Sequence, residues 1–144
     1  MLSLSSALIV LIAGLLRINH LSEDALLKTC GCQFHVGPSK DWRRHVIFNS
    51  GGGTDPAHFR IDGHDLSLPL ISPAEDNDWG GAIGHVTHLV YQKGDVTVRV
   101  RRVVVVGCQQ TRDDCEYSEM KAVITFVIKN RERRTILAMG SCGC

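Results

Sequence analysis

Val86-Thr87-His88-Leu89-Val90-Tyr91-Gln92-Lys93-Gly94-Asp95-Val96-Thr97-Val98-Arg99-Val100-Arg101-Arg102-Val103-Val104-Val105-Val106 is the stretch that sets the fold class of this chain. Its apolar side chains recur with the two-residue period of a strand, not the period of a helix. Val96, Val98 and Val100 point one way, and Thr97, Arg99 and Arg101 point the other. Lys93-Gly94 interrupts the pattern, so Val86–Gln92 and Asp95–Val106 read as a hairpin. Val103 to Val106 are apolar on both sides, which predicts a strand end buried on both faces, with Arg101-Arg102 marking a bulge.

The same alternation extends in both directions. Upstream, His58–Ile61 and His64–Leu68 flank Asp62-Gly63, a dipeptide suited to a two-residue hairpin turn because both positions take positive φ. Downstream, Ala122–Ile128 and Thr135–Met139 flank the polar run from Lys129 to Arg134. Ser50-Gly51-Gly52-Gly53 and the segment from Ser72 to Gly81 read as the long loops. Short strands separated by turn chemistry predict an all-β, mainly antiparallel, small sandwich or barrel. A length of 144 residues is enough for one core. The expected organisation is a leader or apolar helix over residues 1–22 and a single β domain over 23–144.

Six cysteines supply the staples: Cys30, Cys32, Cys108, Cys115, Cys142 and Cys144. An even count in a small chain reads as a disulfide framework. Cys108 and Cys115 bracket a polar loop and are expected to pair across the base of a hairpin. The other four form two Cys-Gly-Cys units. Residues i and i+2 of a strand share a face, so the pair at 30 and 32 is expected to bridge the pair at 142 and 144, placing the first strand of the domain beside the last. The alternative for Cys30, Cys32, Cys142 and Cys144 is a four-thiolate zinc site, although Cys-Gly-Cys is tighter than the usual zinc knuckle.

Leu2 to Leu16 is almost wholly apolar. Its length suits the centre of a signal peptide better than a membrane span, although no basic residue precedes it. The competing reading is an N-terminal helix with Arg17, His20, Glu23, Asp24 and Lys28 on its wet side. Lys28 argues against a lipid-modified Cys30.

Candidate chemistry is sparse. Asp62, His64 and Asp65 cluster at one hairpin, and a histidine between carboxylates can serve as a general base or metal ligand. Asp62 is more simply a turn residue. His85 and His88 are three apart, which on a strand sends them to opposite faces. Asp76 and Asp78 open like a calcium loop, but the spacing then fails, with Thr87 where a bidentate glutamate is needed. Trp79, in the same loop, is either a cap on the core or an anchor for a partner. The Gly51–Gly53 run lacks the lysine and hydroxyl of a phosphate loop. Arg99, Arg101, Arg102, Arg131, Arg133 and Arg134 could form a basic face for an anionic polymer or a solvated strand surface. Net charge is only +1, with no strongly one-signed field to call for nucleic acid. Yet residues 23–83 carry five basic and nine acidic side chains, whereas 84–144 carry ten and six.

The expected function is that of an exported, non-enzymatic binding or accessory domain of the cell envelope or extracellular space, an inhibitor being one such role. Its binding residues would come from Trp79, Asp76, Asp78, Arg99 and Arg101, with no cofactor. The expected partner is a protein or an anionic envelope polymer, with a membrane engaged only through an uncleaved N-terminal segment. Two alternatives stand beside it: a hydrolase or metal enzyme assembled from distant His and Asp residues, and a cytosolic zinc-stabilised domain.

Overall fold

The structure, a computed structural model, describes residues 16–27, 30–38, 40–77, 79, 82–107, 117–129, 131 and 133–143. The alternating stretches form strands where their pattern places them, and pairing lengthens several. In chain order the strands are β1 (Ile18–Asn19), β2 (Gly31–His35), β3 (Val46–Ser50), β4 (Ala57–Ile61), β5 (His64–Leu68), β6 (Val86–Lys93), β7 (Val96–Val106), β8 (Tyr117–Ile128) and β9 (Arg134–Gly143). All pairings are antiparallel, in one sheet of order β1-β4-β3-β2-β9-β8-β7-β6, with β5 also paired to β4.

The sheet closes on itself. Beyond β5 the chain runs alongside β6, where the Gln92 amide donates to the Pro69 carbonyl at 3.1 Å and the Ile71 amide to Val90 at 2.9 Å. Leu70 and Tyr91 form the bridge between them. From β2 to β9 each strand therefore neighbours the next in sequence, and β9 returns to β2. The result is an up-and-down barrel. Tight turns gather at one end, the turn end. The loops after β3, β5 and β7 gather at the other, the loop end.

Local chemistry accounts for the turns. Asp62 and Gly63 adopt φ of 50° and 79°, as a two-residue hairpin turn requires. The β6–β7 turn is Gly94-Asp95, one residue later than the pattern suggested. Lys93 pairs with Val96, and Gly94 takes the positive φ.

The inward side chains fill the barrel. Phe34, Phe48, Phe59, Tyr91 and Phe126 are fully buried and meet ring to ring, with Phe48 at 5.3 Å from Phe34 and Phe59 at 5.5 Å from Phe126. Such tilted and edge-on pairs suit the quadrupole of the rings. Nearer the loop end, Cys32 lies directly opposite Cys142 in the β2–β9 register and is bonded to it, with Cα atoms 4.0 Å apart. The first and last barrel strands are thus neighbours, as the two Cys-Gly-Cys units implied. Cys30 is disulfide-bonded too, to a residue outside those described. Cys108, Cys115 and Cys144 lie outside the described residues, so the expected 108–115 bridge does too.

Four expectations are corrected. No α-helix occurs among the described residues. Leu16–Leu27 runs extended over the outside of the barrel with one short 3-10 turn, Glu23–Ala25. Backbone pairing pins it there: Ile18 opposite Ile61, and the Leu21 amide on the Val46 carbonyl. Leu16 and Leu21 are buried by this contact, and the Asn49 amide donates to the Ala25 carbonyl. The β7 bulge lies between Val104 and Val106, not at Arg101-Arg102, which keep regular register with Val123 and Ala122. Val103 to Val106 are not buried on both faces, because Val103 and Val105 are only half-buried on the outside of β7. Only Val104 is inside, and Val106 is exposed. Finally, Arg102 does not share a solvated face with Arg99 and Arg101. It has the phase of Val98 and Val100 and points into the barrel, where it is 1% exposed.

Candidate functional site

The outer faces of β7, β8 and β9 present a surface that the alternation alone does not explain. Outward positions of a solvated strand are ordinarily polar. Here they include Val103 and Val105 from β7, Val123 from β8, and Leu137 and Met139 from β9. Leu137 is 76% exposed and Met139 49%. The loop after β2 overhangs this face and turns it into a groove of about 550 Å3, lined by these five residues together with His35, Gly37, Arg101 and Lys121. A second hollow of about 270 Å3 shares His35, Val105 and Met139 and extends the groove past Trp42 to Tyr117, Glu119 and Ser141.

Two local features shape it. Gly140 lets β2 and β9 approach closely, since a Cβ at that position would run into the Gln33 carbonyl. Register shifts in β2 at Phe34/His35 and in β7 at Val104/Val106 bend the strands that flank the groove. His35 sits at the overlap of the two hollows. It is 8% exposed, and its Nδ1 has no well-formed hydrogen bond among the described residues. Burial holds its imidazole below the usual histidine range. The Val36 backbone opposes that shift, and the nearby His45 adds to it. Trp42 stands at 6.1 Å from the His35 ring, and the Arg43 guanidinium lies over the Trp42 ring at 5.5 Å.

A different arrangement occupies the interior at the loop end. Arg102 Nε donates to Thr87 Oγ1 at 2.6 Å, and Nη1 lies 3.2 Å from Cys32 Sγ and 3.7 Å from Cys142 Sγ. Burial raises the Tyr91 hydroxyl above the ordinary tyrosine range, while Ser50 and the Arg102 charge pull it back. Trp79 is half-buried against the core and rests on Gly52, whose φ of 86° and missing side chain make room for the indole. Asn77 ties the same loop to Gly53 through a 2.9 Å bond to its carbonyl.

The candidates read from sequence are dispersed. Asp62, His64 and Asp65 are at the turn end, where Asp62 accepts the Arg17 amide at 2.9 Å and Arg131 Nη1 at 2.7 Å, and Asp65 faces Arg60 at 3.7 Å. His85 precedes β6 at the loop end, and His88 faces solvent on β6. The barrel thus separates the two histidines from the Asp62 cluster. Trp79 and Asp76 belong to the loop end, and Asp78 lies outside the described residues. Arg101 lines the groove, and Arg99 shares its face of β7. No group of three or more His, Cys, Asp or Glu able to hold a metal ion occurs among the described residues. The zinc alternative is overturned at Cys32 and Cys142, whose sulfurs are bonded to each other and so cannot act as thiolate ligands.

Sequence reasoning missed His35, Leu137 and Met139. For the last two the signal was present: apolar residues on the phase opposite Ile136 and Ala138, hence on both faces of one strand. Comparison with protein-family models, with curated proteins and with solved structures finds no match.

Proposed function

We propose that this chain is an exported, non-enzymatic binding domain whose recognition surface is the groove on the outer face of β7, β8 and β9. The observation that carries the reading is the apolar strip made by exposed Leu137 and Met139 with half-buried Val103 and Val123, interleaved with the cations Arg101 and Lys121. Soluble domains rarely leave such a strip on a strand face unless something covers it. A partner segment with apolar side chains seated on Leu137 and Met139, and an acidic residue beside Arg101 and Lys121, has the complementary chemistry. The aromatic-filled barrel serves as the rigid scaffold. The buried Cys32–Cys142 bond supports an oxidising, exported location.

Selection of a random peptide library against the whole chain tests this. Enriched peptides should pair apolar residues with Asp or Glu, and should lose binding to a Leu137→Asp/Met139→Asp variant. Both positions are exposed, so the variant's melting temperature should stay within about 2 °C of the parent, the shift expected for a change of some tenths of a kcal/mol. Peptides that bind the variant as well as the parent would remove the groove from consideration.

A further inference from the structure

We propose that the turn end of the barrel is a docking surface for an anionic lipid bilayer. The meander sorts charge along the barrel axis in a way the sequence halves only hint at. Six basic residues, Arg17, Lys93, Lys129, Arg131, Arg133 and Arg134, are all exposed on or beside the turns of that end. Three acidic residues, Asp62, Asp65 and Asp95, lie on or beside the same turns among the described residues. At the loop end the sign reverses: Asp55, Glu75 and Asp76 are exposed there, with no Lys or Arg among the described residues of those loops. The axis is therefore an electrostatic director. Near a negative surface it turns the basic end inward and holds the acidic end away.

The covalent layout adds a second, independent argument for a bilayer over other polyanions. The apolar run Leu2–Leu16 joins the fold at this same end. Leu16 is 1% exposed within the core, and its carbonyl accepts Arg134 Nη1 at 2.9 Å. The Arg17 amide is held by Asp62. An apolar stretch of sequence ending in the core at Leu16, together with a cluster of cations at the same end, supplies the two signals, apolar character and charge, that hold proteins to anionic membranes. Arg131 and Arg134 keep their internal bonds in such a complex. Lys93, Lys129 and Arg133 are exposed on the same turns and can face lipid headgroups.

Co-sedimentation of the full chain with phosphatidylcholine vesicles, with and without phosphatidylserine, tests the proposal. Anionic vesicles should retain the protein more strongly by about a hundredfold, and salt should reduce the difference. A Lys93→Glu/Lys129→Glu/Arg133→Glu variant should lose the preference. The single changes Lys129→Gln and Arg133→Gln, which leave the turns intact, should each lose part of it. Glu75→Lys/Asp76→Lys at the opposite end should leave the preference in place. Equal retention by neutral and anionic vesicles would overturn the proposal, as would a preference that survives the triple reversal. Binding to heparin or nucleic acid without binding to anionic vesicles would overturn it as well. None of these readouts involves Leu137 or Met139, so the peptide groove and the bilayer surface fail independently.

Discussion

Asp62 shows how much one residue's role depends on partners the local sequence does not reveal. Asp-Gly between alternating strands is legible as a turn, and the positive φ of both residues bears that out. Its two carboxylate contacts come from Arg17 and Arg131, 45 and 69 residues away, and no local pattern names them. The Arg17 amide, then Arg131, hold its carboxyl below the usual aspartate range against a small opposing effect of burial. With the folded value depressed, its stabilising effect is complete above the unfolded value of about 4 and is lost as pH falls through the folded value. Asp62→Asn keeps the turn chemistry and removes the charge. Urea midpoints should show a gap between parent and variant at neutral pH that closes on acidification, whereas a gap constant with pH would mean the charge is idle. Arg102 carries the converse lesson. Its phase, shared with Val98, Val100 and Val104, placed it indoors, but the charge on its side chain argued for solvent. A hydroxyl acceptor and two polarisable sulfurs next to the guanidinium accompany its burial.

At the scale of elements, the strands with clean alternation were legible and those buried on both sides were not. β3 reads Val-Ile-Phe-Asn-Ser, and all five residues are buried, because β3 has the barrel core on one side and the Leu16–Leu27 segment on the other. A strand covered on both faces shows no period of two. The apolar pattern of β9 ends at Met139, yet the strand continues through Gly140, which marks the place where another backbone comes close. Gly140→Ala sets its Cβ against the Gln33 carbonyl, so β2 and β9 must part. The variant should lose about 1–3 kcal/mol in denaturant unfolding, the usual range for overpacking. Amide exchange at Gln33 and Phe34 should accelerate before that of β7 and β8. Uniform destabilisation without local acceleration would locate the clash elsewhere.

For the whole molecule, the pair of Cys-Gly-Cys units foretold that the first and last strands of the sheet are neighbours. The groove was less visible, because it arises from the overhang of the loop after β2 and from two register shifts, neither of which leaves a pattern in the chain. Non-reducing tryptic mapping should recover the peptide 29–40 linked to 135–144. Absence of any link between these two peptides would contradict the seam. Loss of the Cys32–Cys142 bond should cost about 4–5 kcal/mol, since it spans 110 residues and removes that closure entropy from the unfolded chain. Closure at a single non-local seam has a further consequence. Every other interface in the ring joins neighbours along the chain, so breaking the β2–β9 junction leaves an intact open ribbon with two complementary unpaired margins. Two such ribbons can satisfy each other reciprocally, β2 of one against β9 of the next, through the contacts each formerly made with itself. Refolding from the reduced state at high concentration should therefore yield an exchanged dimer whose Cys32–Cys142 links run between chains, alongside the monomer.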